Sequence, residues 1–208
     1  LCEGAQGTML DIDHGDYPFV TSSSPTVGGA LTGLGIGARW VDRVVGVAKA
    51  FSTRVGSGPF PTEVEGELAA RLRGTGENFW DEFGTTTGRP RRCGWLDMLI
   101  LKYARDVNGF TELVLTKLDV LSGLPEITIG VGYEIDGTIL DGIPVTTADQ
   151  MRVKPVYETL PGWDEPLGSA RTWNDLPKAA CAYIDRIAEL LEIPVNTVSV
   201  GPERDQLV

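Results

Sequence analysis

Residues Trp95 to Val107 set Leu96, Leu99, Ile100, Tyr103 and Ala104 on one helical face. The chain then breaks at Asn108-Gly109 before the apolar run Phe110-Thr111-Glu112-Leu113-Val114-Leu115-Thr116. A helix that stops on Asn-Gly and feeds a strand-like run ending in polar residues belongs to an α/β fold, in which a buried strand delivers a loop to the sheet edge. The alternation continues along the chain. The spacing of Val41, Val44, Val45, Ala48 and Phe51 predicts an amphipathic helix that stops before Gly56. From Glu126 to Tyr133 the residues Ile127, Ile129 and Val131 alternate as in a strand, and Asp136-Gly137 is a hairpin turn before Thr138-Ile139-Leu140. Asp175 to Leu191 reads as a helix, with Asp175 near its N-cap, Pro177 in the first turn, and Ala180, Tyr183, Ile184, Ile187 and Leu191 on one face. Thr197-Val198-Ser199-Val200 is a last short strand, turned by Gly201-Pro202. The expectation is an α/β fold containing part of a mostly parallel sheet flanked by helices, with an antiparallel hairpin excursion. No repeat or low-complexity linker interrupts it, so one domain is expected over 1–208.

The formal net charge is −11 over 208 residues, of which 42% are hydrophobic and 23% charged. That balance supports a packed core, excludes disorder, and argues against a broad surface for nucleic acid or anionic membrane. Against it stands Gly84-Thr85-Thr86-Thr87-Gly88-Arg89-Pro90-Arg91-Arg92, which concentrates three hydroxyls and three guanidiniums. Guanidinium forks match carboxylate and phosphate oxygens, and Thr hydroxyls beside flexible glycines add donors that close around a small acid. The stretch reads as a local anion site, with a solvated basic turn as the alternative. Cys2, Cys93 and Cys181 lie far apart without metal-ligand spacing, which fits a reducing cytoplasm. No apolar run approaches the roughly 20 residues of a membrane span, and the first residues lack the order of a secretion signal. The chain opens on Leu1 rather than Met and moves directly into a glycine-bearing loop, so it is expected to begin inside a longer protein.

Thr116-Lys117-Leu118-Asp119, at the end of a strand-like run, has a specific physical meaning. Guanine presents its N1 hydrogen and N2 amine side by side, and one carboxylate accepts both. Asp119 is placed for this while the stem of Lys117 lies over the base; adenine lacks that donor pair and would leave the acid unsatisfied. A surface Lys and Asp at a strand end is the plain alternative. Gly33-Leu34-Gly35-Ile36-Gly37-Ala38 fits the loose dinucleotide-binding pattern, yet no strand precedes it and no acid lies at the expected distance. No G-x-x-x-x-G-K-[ST] phosphate loop occurs. The single histidine, His14 in Asp11-Ile12-Asp13-His14-Gly15-Asp16, is expected to serve structural hydrogen bonding rather than a metal or a nucleophile arrangement.

A family resemblance spans nearly the whole chain. Glu3-Gly4-Ala5-Gln6-Gly7-Thr8, Asp11-Ile12-Asp13-His14-Gly15, Val20-Thr21-Ser22-Ser23, Ser52-Thr53-Arg54-Val55-Gly56 with Gly58-Pro59-Phe60-Pro61-Thr62-Glu63, Thr86-Thr87-Gly88-Arg89, Leu115-Thr116-Lys117-Leu118-Asp119, Val156-Tyr157-Glu158 with Leu160-Pro161-Gly162-Trp163, and Ser199-Val200-Gly201-Pro202-Glu203-Arg204 occur in order. In these motifs the sequence resembles the second half of adenylosuccinate synthetase, a cytoplasmic, homodimeric, Mg²⁺-dependent ligase of purine biosynthesis that joins IMP to L-aspartate using GTP.

The resemblance implies roles residue by residue. Thr85, Thr86, Thr87, Gly88, Arg89, Pro90 and Arg91 form the loop that closes on aspartate, with Arg89 also reaching IMP and Arg91 the GTP. Gln6 and Thr21 match IMP-binding positions, and Val55 borders the ribose by its backbone. Lys117, Leu118 and Asp119 match the guanine-recognition segment, against which Ser199, Val200 and Gly201 pack. Pro90 stands where many relatives carry Lys or Arg, which stiffens the loop and removes a donor. The family's glycine-rich phosphate loop, its catalytic Asp and His and its Mg²⁺ ligands are expected in the half not represented here, and the last residues stop short of the family's usual carboxyl end. His14 does not replace that catalytic histidine, so no catalytic acid or base is expected in these residues, Arg89 and Arg91 supplying transition-state support. The fold implied is P-loop-NTPase-like with the phosphate-loop half missing, leaving a strand edge exposed and the chain poorly soluble by itself. The competing interpretation is a non-catalytic module that binds GTP or IMP.

Overall fold

In the computed structural model, which describes residues 1–85 and 87–208, the Val-rich run after Trp40 is a strand and not the helix its spacing predicts. After helix α1 (Val27–Leu34), strand β1 covers Val45–Lys49 and β2 Ser52–Arg54. The β-branched Val44, Val45 and Val47 and an interior glycine disfavour a helix. Val45 and Val47 stand 43% and 72% exposed, while Gly46 between them is buried. Gly46 allows β1 to lie close to its neighbour, since a Cβ there would sit 2.7 Å from the Phe110 ring.

Helix α2 (Gly66–Arg73) leads to β3 (Arg92–Gly94), β4 (Leu96–Asp97) and α3 (Met98–Asn108). Gly109 ends α3 in the left-handed conformation at φ 67, the stop expected from Asn108-Gly109. Strand β5 (Glu112–Thr116) follows directly, then the long β6 (Leu124–Ile135), which turns at Asp136-Gly137 into β7 (Thr138–Leu140). A short α4 (Thr147–Gln150), β8 (Lys154–Trp163), α5 (Lys178–Leu191) and β9 (Val195–Val198) complete the order. Asp175 falls outside α5: its Oδ2 accepts from the Thr172 amide at 2.8 Å and the Arg171 amide at 3.0 Å, closing a separate turn, and Pro177 occupies the N-cap.

The parallel sheet has the order β1-β5-β9. A second sheet gathers β4, β7 and β8 around β6, and β2 pairs antiparallel with β3. The class is therefore the α/β fold expected, a parallel sheet flanked by helices with antiparallel strands. Its antiparallel part is larger than a hairpin excursion, because β8 pairs along most of β6. Helix α5 joins the two sheets. Its buried Ala180, Tyr183, Ile184, Ile187 and Leu191 share one cluster with Leu113, Leu115 and Val198 of the parallel sheet and Ile127, Ile129 and Trp163 of the other. The Tyr183 hydroxyl donates to the Ala50 carbonyl at 2.6 Å, which ties α5 to the carboxyl end of β1. On its far side β1 pairs with no strand among the described residues, so it is the exposed edge. Among the described residues no helix is long and apolar enough to cross a membrane.

Asp97 ties the start of α3 to β6. Its Oδ1 accepts from the amides of Leu99 and Ile100 at the start of α3, and its Oδ2 accepts from the Tyr133 hydroxyl at 2.6 Å. The residue is 2% exposed, and burial pushes its carboxyl up to about 6, against the pull of those three donors. A carboxyl whose folded value exceeds its unfolded one stabilises most below the unfolded value and loses that contribution as pH rises through about 6. The two-unit displacement corresponds to about 3 kcal/mol. Asp97→Asn keeps the cap acceptor without the charge, so between pH 4 and pH 7 urea unfolding should show the variant gaining about 2 kcal/mol on the parent, most of the full displacement. A difference that does not change with pH would contradict this assignment.

Candidate functional site

The parallel register sets the carboxyl ends of β1, β5 and β9 level. Lys49 lies opposite Thr116, and Leu115 opposite Val198. Ligands of open α/β sheets bind outside such strand ends. The chain leaves β5 through Lys117, in the left-handed conformation at φ 61, and enters the short turn Leu118–Leu121. The Leu118 amide donates to the Ser199 carbonyl at 3.3 Å and the Ser199 amide to the Leu115 carbonyl at 2.8 Å. Lys117–Asp119 and Ser199–Gly201, far apart in sequence, are thus brought together. Val200 is fully buried, so a ligand there meets the backbone of this segment rather than that side chain. Burial pushes the Asp119 carboxyl up, opposed by nearby backbone amides and the Lys117 charge.

Glu82, not singled out in the sequence, is the centre of the site. It is 1% exposed and lies against three cations: Lys49 Nζ at 2.6 Å and Arg91 at 2.7 Å, both on Oε2, and Lys117 Nζ at 2.5 Å on Oε1. Burial alone would raise the Glu82 carboxyl, but Lys49 and Lys117 hold it below the usual range. Burial in turn lowers the Lys49 ammonium against the pull of Glu82. Lys117 also donates to the Trp80 carbonyl, so it approaches Oε1 as an ion pair outside hydrogen-bond alignment; that oxygen and Arg91 Nε are buried without hydrogen-bond partners among the described residues. The legible sign of this centre was an acid directly before Phe83 and the glycine-threonine-arginine run.

The arginine loop stands on Glu82. The Arg91 amide donates to the Glu82 carbonyl at 2.9 Å, the Gly84 amide to the Arg89 carbonyl at 2.8 Å, and Phe83 bridges to Pro90 in antiparallel fashion. Arg73 Nε donates to the Arg91 carbonyl at 2.7 Å, fastening the loop to α2. Thr85, Thr87, Gly88, Arg89 and Pro90 are exposed, and Arg91 is half-buried; Thr86 lies outside the described residues. Arg92 turns away to pair with Glu63 and to donate to the Gly58 carbonyl at 2.9 Å.

Of the residues matched to IMP, Thr21 and Val55 occupy neighbouring segments. Arg54, next to Val55, pairs with the buried Asp16 at 2.9 Å and donates to the Phe19 carbonyl at 3.3 Å. Thr21 is half-buried with its hydroxyl 2.5 Å from that of Ser23, and Val55 is exposed at the end of β2. Gln6 sits on the exposed amino-terminal loop at φ 61, and no hydrogen bond among the described residues ties it to the other two. The His14 side chain is exposed, and the hydrogen bonds at that residue come from its backbone: its amide donates to Asp11 and its carbonyl accepts from Tyr103. The Gly33–Ala38 run closes α1, with Gly35 as a left-handed cap, and forms no strand-to-helix phosphate turn.

Cys93 lies beneath the arginine loop, fully buried, and burial pushes its thiol up. Cys2 is exposed. An aromatic disulfide reagent should therefore modify Cys2 in the folded protein and Cys93 only after denaturation; labelling of Cys93 as fast as Cys2, read by mass spectrometry, would contradict this arrangement.

The sequence model of the adenylosuccinate synthetase family matches residues 1–208. A chloroplastic adenylosuccinate synthetase of Triticum aestivum is 57% identical over 211 residues, which span 100% of this chain and 43% of that protein. An adenylosuccinate synthetase of Bifidobacterium adolescentis is 52% identical over 208 residues, spanning 100% of this chain and 48% of the relative. The fully ligated adenylosuccinate synthetase structure from Plasmodium falciparum superimposes with a TM-score of 0.93 at 45% identity, covering 98% of this chain and 48% of that one. The cyanophage S-2L succinoaminodeoxyadenylate synthetase shares the fold at 22% identity and a TM-score of 0.58. The chain thus spans about half the length of the curated relatives it matches. With the family model matched from end to end, the chain belongs to the adenylosuccinate synthetase family.

Proposed function

We propose that residues 1–208 are the carboxyl-terminal portion of one adenylosuccinate synthetase domain. In this reading they carry the substrate contacts of a ligase that joins IMP to L-aspartate, driven by GTP, in the route to AMP. The observation that carries it is the meeting of Arg91 and Lys117 on Glu82, which draws the arginine loop and the Lys117–Asp119 segment into one site. Asp119 accepts the N1 and N2 hydrogens of guanine; a carboxylate already stripped of water has the most to gain from that donor pair. Ser199, Val200 and Gly201 border the same base. Thr85, Thr86, Thr87, Gly88, Arg89, Pro90 and Arg91 enclose the aspartate carboxylates, Arg89 reaching IMP and Arg91 the GTP. Gln6, Thr21 and Val55 contribute to the IMP site.

The γ-phosphoryl group passes from GTP to the 6-oxygen of IMP. The aspartate amine then adds at C6, loses a proton, and phosphate departs, giving adenylosuccinate, GDP and phosphate. Arg89 and Arg91 suit these steps because phosphoryl transfer depends on positioning and on neutralising charge spread over oxygens. Mg²⁺ needs only one or two protein carboxylates beside the substrate phosphates, and among the described residues no group of three His, Cys, Asp or Glu side chains gathers. In our reading its ligands, and the catalytic acid and base, belong to the other half of the enzyme. A homodimer and a cytoplasmic location are part of the same proposal, the latter supported by three free cysteines.

The test is adenylosuccinate formation from IMP, GTP, aspartate and Mg²⁺ by this chain alone and by the chain mixed with the amino-terminal half of a family member. Turnover is expected only in the mixture. In that mixture Asp119→Asn should weaken GTP binding about 10- to 100-fold, the worth of hydrogen bonds to a charged acceptor. Turnover by the chain alone would place the acid and base within these residues; nucleotide binding without turnover in the mixture would favour a non-catalytic GTP- or IMP-binding module.

A further inference from the structure

Three cations share the single buried carboxylate of Glu82, and each belongs to a different part of the site. Lys49 ends β1 and also donates to Thr53 Oγ1 at 2.8 Å, Arg91 closes the arginine loop, and Lys117 opens the guanine segment. Arg91 competes with Lys49 for Oε2, while Lys117 alone faces Oε1. Arg91 Nε is buried without an acceptor, so its guanidinium is only partly satisfied where it lies. A buried carboxylate that loses a partner draws the remaining cations harder, and one more fully neutralised releases them.

We propose that Glu82 is a positioning residue that couples the guanine segment to the arginine loop, so that nucleotide held over Lys117 strengthens the loop's grip on a carboxylate substrate. A base resting on the Lys117 stem keeps its ammonium on Oε1. Lys117 on Oε1 then offsets the Glu82 charge, and Arg91 is free to turn its guanidinium toward the incoming carboxylate. Without the nucleotide, Lys117 shifts toward the Trp80 carbonyl it already contacts, and Glu82 retains Arg91. The coupling is a free energy shared by two sites, so aspartate must tighten nucleotide binding by the same factor. The inference rests on the reading of the site given under Proposed function.

The test uses the chain combined with the amino-terminal half, with IMP withheld so that no turnover occurs. GTP is titrated by calorimetry at zero and at saturating aspartate, and the ratio of the two Kd values is the readout. A change in stability scales both values alike and leaves the ratio unmoved. The parent should show a ratio of at least about fivefold, the low end of allosteric coupling. Glu82→Gln alone strands three cations, so the informative variant is Glu82→Gln with Lys49→Met, which removes one charge of each sign. Its ratio should fall to about one, whereas Lys49→Met alone, with Glu82 still bridging Arg91 and Lys117, should keep the parental ratio. A parental ratio of one, or a double variant that keeps the parental ratio, overturns the inference while the proposed function stands. A parent that binds no GTP overturns both.

Discussion

A carboxylate shut away from water stays ionised only where neighbouring charge outweighs its lost hydration, and Glu82 meets that condition with three cations drawn from three separate stretches of chain. The rest of the site depends on this cluster. It fixes the end of β1 through Lys49, the base of the arginine loop through Arg91, and the turn after β5 through Lys117. Removing one partner from a buried ionic group of this kind typically costs several kcal/mol, more than any single exposed contact in the loop it supports. The exposed part of the loop, with Thr85, Thr87 and Arg89, therefore stands on a base anchored by the buried Glu82.

The anchor exists because the strands end level. Three parallel strands in register bring Lys49, Thr116 and Val198 to one edge, and helix α5 holds that edge by packing across both sheets and bonding the Ala50 carbonyl through Tyr183. On its outer side β1 pairs with no strand among the described residues, and its Val45 and Val47 side chains are exposed. Such an edge is a template for further pairing, and in our reading the other half of the enzyme covers it.

Local signals in the sequence were the readable ones. Helix α3 has a strong apolar face and a glycine stop, and both lie within a few residues of the structure they dictate. The hairpin at Asp136-Gly137 is legible for the same reason. The stretch 41–51 fits two periods at once, and pairing with β5, a non-local event, decides for the strand. Strand β8 is hidden because its residues stand in a familiar motif whose structural partner, β6, lies earlier in the chain. Within the candidate site the Thr and Arg residues and the Lys117–Asp119 segment announce their chemistry by type and spacing. Glu82 does not, since its role arises from cations such as Lys49, 33 residues away, that meet it only in the folded state. Asp97 is similar: its neighbours in sequence mark a helix start, and only folding brings Tyr133 to it.

The central claim is that the arginine loop, the guanine segment and the Ser199–Gly201 strand end form one nucleotide-responsive site. Hydrogen exchange read by mass spectrometry, on the chain combined with the amino-terminal half and with and without GTP, tests it directly. The account predicts that GTP slows exchange together in peptides covering 82–91, 117–119 and 199–201. Protection confined to one of these segments, or appearing only elsewhere in the chain, would contradict it.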